Sequence, residues 1–461
     1  MTLSALLRRS ILPRRRILPP PAVFFQQFQR RSLSSADTDS IQKNQSPLKT
    51  NEALYYFIRD KIRASGPITV HEYMQLAVGS GAGYYANRGA RDEGKIFGSE
   101  GDFVTSPELC QVFGELLAVW AYYELGNTGH KGQWQLVEMG PGTGQLMADM
   151  LGVINRFKEE DNLTVHLVES SDALIDEQEK RLCGSLTKPI EGKSYVRQSR
   201  SLFGVPIYWH KDLSDVPDNF SIYVANEFLD ALPIHQFTKT GKGWHEVYVN
   251  LDENNKFCFM LSKNENLHTK GLIPEHIREE NRRHWEVSPE AATIVTQVGE
   301  KIVENGGFAL FVDYGHDGNR KDLSLRAYRK HTVVDPLESP GHDDITADVN
   351  FGYFKELLQD RVLVYGPTEQ WLFLSQMGIL ARMQYLMTQC KEREGRESLL
   401  NAYKLLMTPT KDGGMGEAFK AFALFPQSMK GIMEKRGGFP EGFRPLGWKP
   451  PVVEKAETVK E

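Results

Sequence analysis

The run Leu136-Val137-Glu138-Met139, ending in Gly140-Pro141-Gly142-Thr143-Gly144, constrains this chain more than any other segment. It reads as a buried strand that stops at a three-glycine turn, with a helical segment, Gln145 to Met150, directly behind. Glycines accept positive φ and leave no Cβ between the backbone and a bound group. The free N–H groups of the following helix start can then face a polar ligand. The G-x-G-x-G spacing departs from the dinucleotide fingerprint G-x-G-x-x-G. It suits a nucleoside that brings an amino-acid moiety, rather than a pyrophosphate, against the turn. That points to S-adenosylmethionine. The same glycines would also make a plain tight turn in any α/β protein.

The next segments decide between the two. Thr164-Val165-His166-Leu167-Val168-Glu169 is a second strand closing on an acid, where a doubly wound sheet hydrogen-bonds ribose hydroxyls. Val205 to His210 reads as a third strand, followed by Asp212. That carboxylate could accept from an adenine amino group or cap a helix. Ser221 to Asn226 is a fourth strand, leading into Glu227-Phe228-Leu229-Asp230, and Gly307 to Gly315 a fifth. Arg361 to Tyr365 and Ala421 to Phe425 are the last two, with a helical region from Gln370 to about Met407 between them. Strands alternating with helices imply a mainly parallel, Rossmann-like doubly wound α/β sheet. Ligands of such sheets sit beyond the carboxyl ends of the strands. The expected cofactor-binding residues are therefore Glu138, Gly140, Gly142, Gly144, Glu169 and Asp212.

Asn226, Glu227 and Asp230 are expected beside the transferable methyl, as the catalytic group. A sulfonium methyl is already activated, so the enzyme's task is to align an unprotonated nucleophile with it. Carboxylates at Glu227 and Asp230 could clamp a guanidinium and leave one nitrogen lone pair available. Asn226 and Asp230 could equally cap the following helix. Asp102 to Glu108 reads as a helix start, with Ser106 as cap and Pro107 at the first helical position. His342, Asp343, Asp344 and Asp348 are metal-ligand types without a metal-ligand spacing, and methyl transfer needs no metal.

The chain's ends differ from its middle. Residues 1–36 hold seven arginines and no acid, the composition of an organelle transit peptide, and mitochondrial import is expected; a disordered basic tail that binds nucleic acid or membrane is the alternative. Without those arginines the formal net charge moves from −5 to −12, poorly suited to holding a phosphate backbone, so nucleic acid is not expected as substrate. Residues 37–49 read as a polar linker, 50–130 as a helical N-terminal region and 131–426 as the core. An inserted β-rich excursion is expected at about 235–285, and an extended tail at 437–461. No run approaches the length of a transmembrane helix. The four cysteines lie far apart, which reads as reduced, buried thiols.

Taken in order, Gly101-Asp102-Phe103-Val104-Thr105-Ser106-Pro107-Glu108, Glu138 to Gly144, Asn226 to Pro233, Asp313-Tyr314-Gly315, Asp344 to Phe351 and Met415-Gly416-Glu417 resemble the MidA family. Ser106 stands where many members carry alanine. The resemblance runs from about Leu54 to Pro426. It implies a class I methyltransferase fold and a mitochondrial, matrix-located protein arginine methyltransferase that assists assembly of respiratory complex I. It further implies symmetric dimethylation of an arginine on the 49-kDa-type iron–sulfur subunit. A small-molecule methyltransferase with a closed apolar pocket, or an assembly chaperone without catalysis, are the alternatives that the residues themselves leave open.

Overall fold

All six residues of Trp134–Met139 are buried, a pattern that requires cover on both faces of the sheet. The structure, a computed structural model, describes residues 52–79, 83–84, 105–157, 162–330 and 332–449. The expected transit peptide and linker, Gly101 to Val104 and the tail from residue 450 lie outside the described residues.

From the N-terminus the elements are α1 (Glu52–Ser65), α2 (Val70–Met74), the short α3 (Ser106–Leu109) and α4 (Gln111–Thr128). The core begins with β1 (Trp134–Met139), α5 (Gln145–Phe157), β2 (Leu163–Val168) and α6 (Asp172–Cys183). It continues through β3 (Arg197–Arg200), β4 (Pro206–His210) and β5 (Ser221–Asn226). The chain then leaves the sheet for β6 (His235–Thr240), β7 (Gly243–Leu251), β8 (Phe257–Leu261) and β9 (His284–Val287). It returns through α7 (Pro289–Asn305) to β10 (Gly307–His316), α8 (Phe351–Leu358) and β11 (Val362–Glu369). Three helices follow, α9 (Gln370–Gln376), α10 (Ile379–Gln389) and α11 (Arg393–Met407), before β12 (Phe419–Pro426).

The main sheet runs β11-β12-β10-β5-β1-β2-β4-β3. Pairings from β10 through β5, β1 and β2 to β4 are parallel, whereas β12 is antiparallel to both β10 and β11. The order reverses between β1 and β5, so the ends of these two strands flank the crevice where such sheets bind ligands. Two hydrophobic clusters cover the faces. One joins α4, α5 and the helices before β12; the other gathers Val137, Tyr223, Val295, Phe311 and Phe351.

Edge strand β3 was not legible in the sequence. Its residues, Arg-Gln-Ser-Arg, carry no apolar alternation, and it pairs antiparallel with β4. It is held instead by charge. Buried Arg197 donates to Glu179 at 2.8 Å and to Asp176 at 2.7 Å on α6. The strands after β5 form a separate antiparallel sheet, to which Ile68–Thr69 adds an edge beside β7. Helix α2 opens as its sequence implies, with Thr69 Oγ1 accepting the N–H of Glu72 at 3.0 Å.

Candidate active site

A cleft of about 360 Å3 lies where the glycine turn, the end of β5 and α3 meet. Its walls include Glu138, Gly140, Gly142, Thr143, Asn226 and Glu227, together with Pro107 and Glu108. The turn has the shape that the sequence requires. Gly140, Gly142 and Gly144 have φ of +64°, +53° and +79°, values that L side chains adopt only with strain. A Cβ on Gly140 would stand 2.5 Å from the Phe228 ring. The turn is braced from behind by Gln178 on α6. Its Nε2 donates to the Gly142 carbonyl at 2.8 Å and to Glu169 Oε2 at 3.2 Å, while Trp209 Nε1 donates to its Oε1 at 3.0 Å. The acid at the end of β2 and the glycine turn are thereby held at fixed separation.

Glu227 lies one residue past β5 with φ of +51°, a left-handed conformation uncommon for a non-glycine residue. Backbone strain of this kind persists where surroundings over-determine it, and here they do. Its N–H donates to the Val312 carbonyl at 2.9 Å, and its Oε1 accepts from Ser106 N at 2.8 Å and Asn226 Nδ2 at 3.1 Å. Asp313, at the end of the buried part of β10, receives the next turn. Its Oδ2 accepts from the N–H groups of Phe228, Leu229 and Asp230 at 3.1, 2.8 and 3.3 Å. Asp313 thus positions the segment that carries Glu227.

The cleft holds buried polar atoms with unused capacity. Among the described residues, Glu138 Oε2, Asn226 Oδ1, Glu227 Oε2 and Ser106 Oγ have no hydrogen-bond partner. Such atoms cost free energy unless a ligand or water meets them. Burial pushes both carboxyls up to about 8, with Glu169 adding to Glu138 and Asp230 to Glu227. An incoming cation would reverse both shifts. The residues fit S-adenosylmethionine: a side-chain-free turn, free N–H groups at the start of α5, and acceptors for an ammonium or hydroxyls.

The other sequence candidates fall in different places. Glu169 is buried and bound to Ser171 N at 2.8 Å and to Gln178. Asp212 is exposed and caps a short helical turn, accepting from Ser214 N at 2.8 Å and Ser214 Oγ at 2.6 Å, which lowers its pKa. Asp230 is buried but does not border the cleft; its electrostatic neighbours are Asp313, Asp344, Asp348 and the Arg326 guanidinium. The expected cap Ser106 is instead the first helical residue, Thr105 standing at the cap position without a side-chain bond. That shift frees the Ser106 N–H for Glu227. Glu108, whose Oε1 accepts from the Thr143 hydroxyl, carries in sequence only the marks of a helix start, and nothing in the sequence around Gln178 marks it as a brace of the turn. Asp343 is committed to Arg329, with two contacts of 2.6 Å, and Asp348 to Arg320 and Arg326. His235, Glu246 and His268 also bring metal-ligand types together. Glu246 already accepts from His235, His268 and Asn266, so the group reads as a hydrogen-bonded hub.

A sheet of this order with an acid-lined cleft at its switch point defines a class I S-adenosylmethionine-dependent methyltransferase. Residues 116–368 match the family described as "Putative S-adenosyl-L-methionine-dependent methyltransferase". The chain is 53% identical to the mitochondrial protein arginine methyltransferase NDUFAF7 homolog of Caenorhabditis elegans, over 86% of this chain and 92% of that protein. It is 39% identical to the mitochondrial protein arginine methyltransferase NDUFAF7 of Homo sapiens, over 84% of this chain and 89% of the relative. A crystal structure from Burkholderia thailandensis, described as a "likely methyl transferase" bound to S-adenosyl-homocysteine, is 26% identical with a TM-score of 0.65. That alignment covers 81% of this chain and 92% of the other. The chain belongs to the MidA family of mitochondrial protein arginine methyltransferases, and its cofactor is S-adenosylmethionine. Among the described residues no helix is long and apolar enough to cross a membrane.

Proposed function

We propose that this protein dimethylates, symmetrically, an arginine on an iron–sulfur subunit of respiratory complex I, in the mitochondrial matrix during assembly. The observation that carries the arginine reading is the cleft's lining. Among the described residues it contains three carboxyl groups, Glu108, Glu138 and Glu227, and no lysine or arginine. A cationic acceptor group is the natural complement of such a wall. The cleft is partly open and polar, which favours a side chain presented by a protein over a small apolar molecule enclosed in a pocket. The relatives named above are called protein arginine methyltransferases.

Bound S-adenosylmethionine supplies an electrophilic methyl on a sulfonium centre. The chain's own residues do the rest. The glycine turn and α5 hold the amino-acid end, and Glu138 and Glu169 hold polar groups of the nucleoside side. Glu227 accepts from the guanidinium through its free Oε2, and Asn226 offers its free Oδ1 beside it. Localising positive charge on the nitrogens held by carboxylate leaves the remaining nitrogen better able to attack. The test is mass spectrometry of arginine methylation on complex I subunits from mitochondria with and without this protein. Loss of a symmetrically dimethylated arginine in its absence supports the reading. Unchanged arginine methylation throughout complex I refutes the assigned target.

A further inference from the structure

The end of α3 is tied to the site at two points. Ser106 N–H donates to Glu227 Oε1 at 2.8 Å, and Glu108 Oε1 accepts from the Thr143 hydroxyl in the glycine turn. Glu108 is only partly buried and lines the cleft, as does Glu227. Asp230, the other acid following β5, does not line it and faces a buried network that already contains Arg326. A guanidinium has five N–H donors in a fixed fork, more than one carboxylate can satisfy. Glu227 has one oxygen spent on Ser106 and Asn226 and one free. Asn226 Oδ1 is a free but neutral acceptor beside it, and Glu138 is assigned above to the cofactor, which leaves a second charged acceptor for the guanidinium to be supplied by the cleft wall.

We propose that Glu108 is that acceptor: Glu108 and Glu227, on opposite attachments of α3, form the two-carboxylate clamp for the substrate guanidinium, and Asp230 takes no part in it. This rests on the arginine reading above and assigns the specificity within that site. Thr143 holds Glu108 by Oε1, and among the described residues Oε2 has no hydrogen bond, so the cofactor turn and the acceptor site share one rigid connection.

The test uses the full chain loaded with S-adenosyl-homocysteine, titrated calorimetrically with acetyl-arginine amide and with its citrulline counterpart, which keeps the shape but lacks the charge. Wild-type protein should prefer the arginine probe at least tenfold. Glu108→Gln keeps an acceptor for Thr143 and should lose that preference, as should Glu227→Gln, while S-adenosyl-homocysteine affinity stays within threefold. Asp230→Asn, checked for folding by its melting temperature, should keep the preference; should it unfold, Asp344→Asn probes the same network. Arginine preference retained in Glu108→Gln overturns the clamp. So does a tenfold loss of S-adenosyl-homocysteine affinity with preference intact, which would assign Glu108 to the cofactor's ammonium. Absence of arginine preference in the wild type refutes the arginine reading itself, a different outcome from failure of Glu108.

Discussion

Glu227 combines two properties that seldom meet in one residue: a left-handed backbone and a buried carboxyl oxygen with no hydrogen-bond partner among the described residues. Its pKa in the folded protein, about 8, lies above the ordinary 4.5. Folded protein therefore holds this proton where unfolded chain has released it, and Glu138 behaves the same way. The resulting stability is fully present below about 4.5 and lost as pH rises through about 8. Ligand-free protein should accordingly lose melting temperature between pH 5.5 and 8.5, and Glu227→Gln should flatten that slope; scanning calorimetry across this range checks it, and equal slopes would remove Glu227 as the source. Gly140→Ala tests the turn. The new Cβ must displace the Phe228 ring in a left-handed backbone, which costs about 1–2 kcal/mol before any clash. S-adenosylmethionine affinity should fall at least tenfold by calorimetry, with the protein still folded. The glycines and the acid of β2 were legible because turn and sheet chemistry restrict residue type at those positions. Glu108 and Gln178 were not, since each acts across a tertiary contact, and no spacing within its own helix marks it.

At the scale of elements, the parallel strands could be read from their apolar runs, but the turn after β5 could not. Asp313 carries in sequence only the marks of an acid near the end of a strand. It instead accepts three consecutive N–H groups and fixes where Glu227 points. Asp313→Asn should lower turnover at least tenfold and reduce thermal stability, because an amide replaces one acceptor oxygen with a donor facing N–H groups. S-adenosylmethionine affinity should change less than threefold, since Asp313 touches none of the glycine turn. A loss of cofactor affinity matching the loss of turnover would show that the turn serves binding rather than acceptor alignment. Sheet edge β3 teaches the complementary lesson: its polar sequence hides a strand because the Arg197 contacts to α6 replace apolar packing as the anchor.

Across the whole molecule, the helices flanking the sheet are fastened by ions that sequence patterns cannot pair. Helix α4 is buried nearly all round, so its two acids, Glu115 and Glu124, require partners. Glu115 receives a two-point contact from Arg382 on α10, both at 2.7 Å, and Glu124 receives Arg436 at 2.6 and 2.7 Å. Glu124 also accepts the Glu441 N–H at 2.8 Å, which draws the segment after β12 back onto α4. These contacts span more than 260 residues of sequence, and α4 leads directly from α3, the element that carries Glu108. Removing one member of a buried pair leaves the other charged and unpaired, a loss of about 3–5 kcal/mol. Arg382→Met should therefore destabilise the protein by that amount in denaturant titration. Replacing both members, Arg382→Met with Glu115→Leu, should recover most of it, because no unpaired charge remains. If α4 also serves as the base from which α3 reaches the cleft, the single variant should lose arginine-dependent turnover at temperatures where it is still fully folded, and the double variant should regain stability without regaining all of the turnover. Full recovery of both in the double variant would confine the pair to stability and separate α4 from alignment of the site.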